Sequence, residues 1–127
     1  MLERLETIRM ARAMTAHAAE RTKIIAGNVA NADTPGFRAR DLEPFARAYR
    51  GGADALRATR AGHVTSGAEG FSARITEDEG ERAPNGNYVS LEEEMVKTAE
   101  AKRAHELSIA VYRSSLSMLR TAIGRKG

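Results

Sequence analysis

The stretch NVANADTPGFRARDL, residues 28–42, decides how this chain is built. It begins as the end of an alanine-rich, proline-free run and then breaks at Thr34-Pro35-Gly36-Phe37. Pro35 pushes Thr34 out of the helical region, so a helix arriving from the N-terminal side must stop before it. Pro35 also presets the second position of a turn, and Gly36 supplies the positive φ that a type II turn requires at its third. Phe37 leaves the turn as a large anchor. Asn28 and Asn31 lie three residues apart and so share one helix face, where their amides offer donors and acceptors to a neighbouring backbone. By spacing alone this is a helix stop with local capping, but the same residues also suit a docking element.

Upstream of the break, residues 3 to about 31 read as one helix. The positions Leu5, Ile8, Ala11, Thr15, Ala18, Ala19, Thr22, Ile25, Ala26 and Val29 recur with three-four spacing and carry no charge. Glu3, Arg9, Glu20, Arg21 and Lys23 fall off this stripe, with Arg12 at its edge. Small residues on the stripe permit close approach of a second helix but give little transfer energy.

The second helix is announced by Ser90-Leu91-Glu92-Glu93, a capping-box pattern. Glu92, Glu93 and Glu94 add negative charge where the helix dipole is positive. From there Leu91, Met95, Thr98, Lys102, His105, Ile109, Tyr112, Leu116, Leu119 and Ile123 form a seam of more than four heptads. Lys102 and His105 are its polar interruptions, read as register-setting rather than catalytic. Gly124 followed by Arg125 and Lys126 makes a C-terminal stop. At 1.5 Å per residue each helix would be roughly 40–50 Å long.

Three segments follow: residues 1–45 with the first helix and turn, 46–88 in the middle, and 89–127 with the second helix. The middle is rich in Gly, Ala, Arg and acidic residues. Leu56, Val64, Phe71 and Ile75 suit a short strand or two, and Asn85-Gly86 carries a type I′ preference. The expected architecture is mainly α, with two long terminal helices packed as an antiparallel coiled-coil pair and a loop or small β-hairpin between them, one domain overall.

Composition bears on how such a pair can hold together. Of 127 residues 23 are alanine, whereas Leu, Ile, Val and Phe together number 22. That is a poor supply of large apolar side chains, each worth roughly 1.5–3 kcal/mol when buried. A thin core that gains burial from partners is expected. The 20 basic and 17 acidic residues are interspersed and give a net charge of +3, a mixed solvated surface rather than a nucleic-acid footprint. Disulfides and thiolate metal sites are excluded by the absence of cysteine. No apolar run long enough to span a membrane occurs, and the start MLERLETIRMARAM lacks the apolar core of a cleavable secretory signal. His17, His63 and His105 are scattered without metal-ligand spacing, and phosphate-binding glycine loops and nucleophile elbows are missing. The residues point to no enzyme, cofactor or metal.

ANADTPGF after a long N-terminal helix, with RATRAGHV, NGNYVSLEEEM and SMLRTAI further on, resembles the flagellar axial proteins, the family of rod, hook and filament-joining subunits, in its proximal-rod form. The resemblance implies terminal helices that pack antiparallel and stack helically into a tube, and a structural role in the flagellar basal body. It implies export through the flagellar type III apparatus without a cleaved signal peptide. Its implied partners are copies of the chain itself, other rod proteins and a membrane-ring adaptor at the rod base, with no nucleic acid and no direct membrane insertion. Asn28, Ala30, Asn31, Thr34, Pro35, Gly36 and Phe37 would then form a signature turn at an inter-subunit contact. The short middle implies no large outer domain. A stand-alone coiled-coil adaptor, a secretion chaperone and a sister rod protein are the alternatives.

Overall fold

The computed structural model describes residues 2–58, 73–77 and 86–124, with side chains in 52–58 outside that description. Helix α1 spans Leu2–Ala30 and helix α3 spans Leu91–Gly124. Between them lie strand β1 (Arg40–Leu42), helix α2 (Phe45–Ala58) and strand β2 (Ile75–Glu77). The two long helices pack against each other over most of their length. Asn28 meets Glu94, Arg21 meets Glu100 and Thr15 meets Ser108. Descending numbers on α1 are matched by ascending numbers on α3, so the pair is antiparallel, as its sequence predicts.

Strands β1 and β2 pair antiparallel in the register Arg40↔Glu77, Asp41↔Thr76, Leu42↔Ile75. The ladder is prolonged by the Glu43 amide donating to the Arg74 carbonyl at 2.8 Å. The middle of the chain departs from expectation at Phe45–Ala58, which is helical rather than loop or hairpin. The adjacent glycines Gly51 and Gly52 argue against a helix there, but Phe45, Ala48 and Tyr49 sit one turn apart on a common face. Ala48 is buried, and the Phe45 and Tyr49 rings stack at 5.3 Å. Of the residues expected in strands, Ile75 lies in β2, Leu56 falls in α2, and Val64 and Phe71 lie outside the described residues, as do His63 and Asn85.

The interior is thin. Among the described residues the buried hydrophobics are Ala11, Ala18, Ile25, Ala39, Leu42, Ala48 and Ala101, five of them alanine. Beside them lie buried His17, Asn28, Asn87, Glu94, Ser108 and Ser115. This is the small-residue packing that composition foretold, with polar groups in place of leucines.

A candidate assembly site at the helix break

Helix α1 stops as its sequence requires. The Asn31 amide donates back to the Gly27 and Asn28 carbonyls and the Ala32 amide to Val29, tightening the last turn. Phe37 N–H then reaches the Thr34 carbonyl at 3.2 Å, closing a turn in which Gly36 has φ +75°. A positive φ at the third position behind proline is the type II geometry. Asp33, Thr34, Pro35 and Gly36 are exposed at the tip, and Phe37 is half-buried behind them.

The two signature asparagines act inside the chain. Asn28 is 1% exposed. Its Nδ2 donates to the Arg40 carbonyl at 2.7 Å and to Glu94 Oε2 at 3.0 Å, while its Oδ1 accepts from the Arg40 amide at 2.9 Å. The carboxamide therefore pairs with β1 much as a neighbouring strand would, and ties it to α3. Asn31 Nδ2 donates to the Gly27 carbonyl, and its Oδ1 accepts from the Thr34 hydroxyl. The neighbouring backbone that these amides are expected to meet is thus supplied by the chain itself. Ala30, the last residue of α1, is exposed.

Sequence makes Glu94 one of three helix-start charges, and for Glu92 and Glu93, both exposed, that reading stands beside the structure. Glu94 itself is fully buried, with Oε1 receiving Lys97 Nζ at 3.2 Å and Oε2 receiving Asn28. The Glu93 amide lies 3.5 Å from Ser90 Oγ, a long version of one half of the capping box. Arg21, an outward charge by its place off the stripe, instead turns toward β1. Its Nε and Nη2 hold Asp41 at 2.9 and 3.1 Å, and Nη2 also reaches Glu100. Burial pushes the Asp41 carboxyl up. Hydrogen bonds from Arg21 and the Leu42 amide, with the positive charges of Arg21 and Lys97, outweigh it and hold that carboxyl below its ordinary value. The Asp41 hydrogen bond in turn raises the Arg21 guanidinium against the opposing effect of burial. His17, also buried, places Nε2 at 2.8 Å from the Glu43 carbonyl, so that nitrogen carries the proton, and its ring meets Phe45 edge-on.

On α1 the expected stripe carries the contact through Ala11, Thr15, Ala18 and Ile25, whereas on α3 the expected apolar seam does not coincide with the contact line. Ile25 is buried, and Ile8, Ile109, Tyr112, Leu116 and Leu119 are half-buried. Leu5, Val29, Leu91, Met95 and Ile123 are exposed, Met95 by 72%. On α3 the buried line is Glu94, Ala101, Ser108 and Ser115, seven residues apart and displaced around the helix from the apolar row. Ala11, Ala18 and Ile25 face it from α1 with the same spacing. Small side chains let the backbones approach, and the Thr15 and Ser108 hydroxyls meet at 2.7 Å. Larger residues would hold the helices apart, so they lie on the shoulders. Val96, Leu107 and Met118 form a second exposed row on α3, spaced by eleven.

Apolar heptad seams are the usual sequence signal for helix contact, and on α3 that seam concealed the contact line. What could have exposed it is the heptad recurrence of small and polar residues on α3, in step with the small stripe of α1.

Against known proteins, residues 10–38, the second part of α1 and the turn, match the family described as flagella basal body rod protein. Two curated proteins named flagellar basal body rod protein FlgB are similar along most of their length. One, from Agrobacterium fabrum, is 31% identical over 111 residues, covering 83% of each chain. The other, from Cereibacter sphaeroides, is 34% identical over 107 residues, covering 81% of this chain and 82% of its own. This chain belongs to the flagellar basal body rod family. Among the described residues, no helix is long and apolar enough to cross a membrane.

Proposed function

We propose that the chain is a structural subunit of the proximal rod of the bacterial flagellar basal body. It polymerises helically through its terminal helices and forms part of the hollow, periplasmic drive shaft. Its partners are copies of itself, the other rod proteins and the membrane-ring adaptor at the rod base, and it reaches them through the flagellar type III export apparatus.

The observation that carries this reading is where the large apolar side chains lie. Leu91, Met95, Val96, Leu107, Met118 and Ile123 are all more than half exposed on one helix, whereas among the described residues the interior is, Ile25 and Leu42 apart, alanine, serine and hydrogen-bonded polar groups. Burying such a side chain yields roughly 1.5–3 kcal/mol, so much of the free energy available to this sequence is realised only between subunits. Rows on two shoulders of α3 suit neighbours on two sides. A heterologous contact repeated by rotation and rise builds an open helical tube. The turn offers exposed Thr34, Pro35 and Gly36, with half-buried Phe37 behind them, to the adjacent subunit.

Isolation of basal bodies from cells carrying a tagged chain tests this. The chain should fractionate with the rod beneath the outer rings, and recovery only as a soluble dimer would overturn the proposal. Phe37→Ala should leave secretion intact and abolish rod incorporation and swimming; motility at normal rod abundance would reject a docking role for Phe37.

A further inference from the structure

Asn87 lies far from the signature turn in sequence but inside it in space. It is 1% exposed, and the two N–H groups of its Nδ2 face three carbonyls of the helix break, Asn31 at 2.9 Å, Ala32, and Thr34 at 2.9 Å, so at least one N–H is shared. The orientation of the amide is fixed chemically, because Oδ1 accepts the Val89 amide at 2.7 Å and so the NH₂ must face the carbonyls. Two backbone bonds flank it, Gly36 N–H to the Gly86 carbonyl at 3.1 Å and Tyr88 N–H to the Phe37 carbonyl at 3.0 Å. The Arg38 guanidinium lies over the Tyr88 ring at 5.1 Å.

A helix end leaves carbonyls in need of donors. Here the Thr34 and Phe37 amides already serve the Asn31 and Thr34 carbonyls, and Asn87, from the segment leading into α3, adds a second donor to each and serves Ala32 as well. We infer that Asn87 is the positioning residue of the signature turn, so that the turn takes its assembly-ready shape only when the start of α3 is docked on the end of α1. Only a carboxamide of this length fits, because it presents NH₂ to three oxygens while its own oxygen anchors the lead-in strand. An aspartate would set a carboxylate against the same three carbonyls. A glutamine would carry the amide one methylene too far. The turn thereby reports that both terminal segments are folded together, and an N-terminal half alone does not present it.

The test compares hydrogen exchange, read by mass spectrometry, in residues 31–38 and in residues 11–22 of the same molecule. Asn87→Asp should speed exchange in 31–38 at least tenfold relative to 11–22. Ile25→Ala, which loosens the helix pair generally, should speed both by similar factors. An unchanged ratio in Asn87→Asp, or the same ratio change in Ile25→Ala, would overturn the inference. Its consequence for assembly rests on the rod reading and is measured apart from it. Asn87→Asp should lower incorporation into basal bodies at least tenfold at equal secreted amounts. Normal incorporation despite a loosened turn would refute the coupling of turn shape to assembly. Absence of the unaltered chain from basal bodies would refute the rod reading and leave the exchange result standing.

Discussion

Asn28→Asp changes one atom at the centre of the polar interior and reverses its logic. In the native chain Nδ2 of Asn28 stands 3.0 Å from Glu94 Oε2, in a pocket where both residues are almost inaccessible to water. The substitution places a carboxylate against a carboxylate at that distance. At an effective dielectric near 20 the repulsion is roughly 5 kcal/mol. Taking up a proton relieves it, and for a carboxyl about three pH units below neutrality this costs about 4 kcal/mol at pH 7. The smaller figure governs, so the variant should lose about 4 kcal/mol at pH 7. Because proton uptake eases by about 1.4 kcal/mol per pH unit, the loss should shrink to about 1–2 kcal/mol at pH 5.

Asn28→Ala is the control. It deletes the bonds to Arg40 and Glu94 without adding charge and should lose about 2–3 kcal/mol with little pH dependence over the same range. Urea unfolding followed by circular dichroism, in a fixed concentration of a stabilising osmolyte, measures both. The two stability curves should cross between pH 5 and 7, with the aspartate variant weaker at neutral pH and stronger in mild acid. Parallel curves would refute the burial and pairing assigned to Glu94.

The salt bridge under β1 has the opposite sign. Asp41 is held below its ordinary value, so its contribution is present above the unfolded-state value, about 3.8, and is lost as pH falls through the lower folded one. Asp41→Asn should therefore lose about 1–2 kcal/mol at neutral pH, and its gap from the native chain should close only in strong acid. At Gly36 an added Cβ meets nothing within 4 Å, but φ is +75°, so the penalty is purely one of backbone. Gly36→Val should lose at least about 1–2 kcal/mol and impair swimming, and Gly36→Asn should lose less in the same unfolding assay. Ser108→Leu should cost about 1–3 kcal/mol by wedging the helices apart, whereas Met95→Ser, on the exposed shoulder, should leave folding within about 0.5 kcal/mol and reduce basal-body incorporation.

The long helices and the turn were legible because their causes are local: absence of proline, a proline-glycine pair at the break, a serine before a run of glutamates. Helix α2 was less so, since Gly51 and Gly52 speak against it and its support comes from Ala48 and Phe45 settling on other parts of the chain. The interior was the least legible. Periodicity identifies rows but does not say which row faces a partner within the chain and which a partner outside it. In a protein that folds alone the larger residues decide this by going inside. Here the row of Leu91, Met95 and Ile123 and the row of Glu94, Ala101, Ser108 and Ser115 share the heptad, and the second is the buried one.

That choice becomes intelligible through Asn28, Glu94 and Asn87. Asn28 and Asn87 are buried against backbone groups, Glu94 receives the side chains of Asn28 and Lys97, and among the described residues no buried side-chain polar atom is left unsatisfied. A hydrogen-bonded interior gives modest net stability but tolerates few alternative registers, because a slip of one residue strands every buried polar group at once. An apolar interior of leucines would be stronger and less exacting, and it would also withdraw those side chains from the surface. Fixing register with amides and carboxylates leaves Leu91, Met95, Leu107 and Met118 exposed, where the proposed rod contacts would use them. Two adjacent positions of α3 therefore take opposite demands: a polar replacement is harmless to folding at exposed Met95, and an apolar one is harmful to it at buried Glu94.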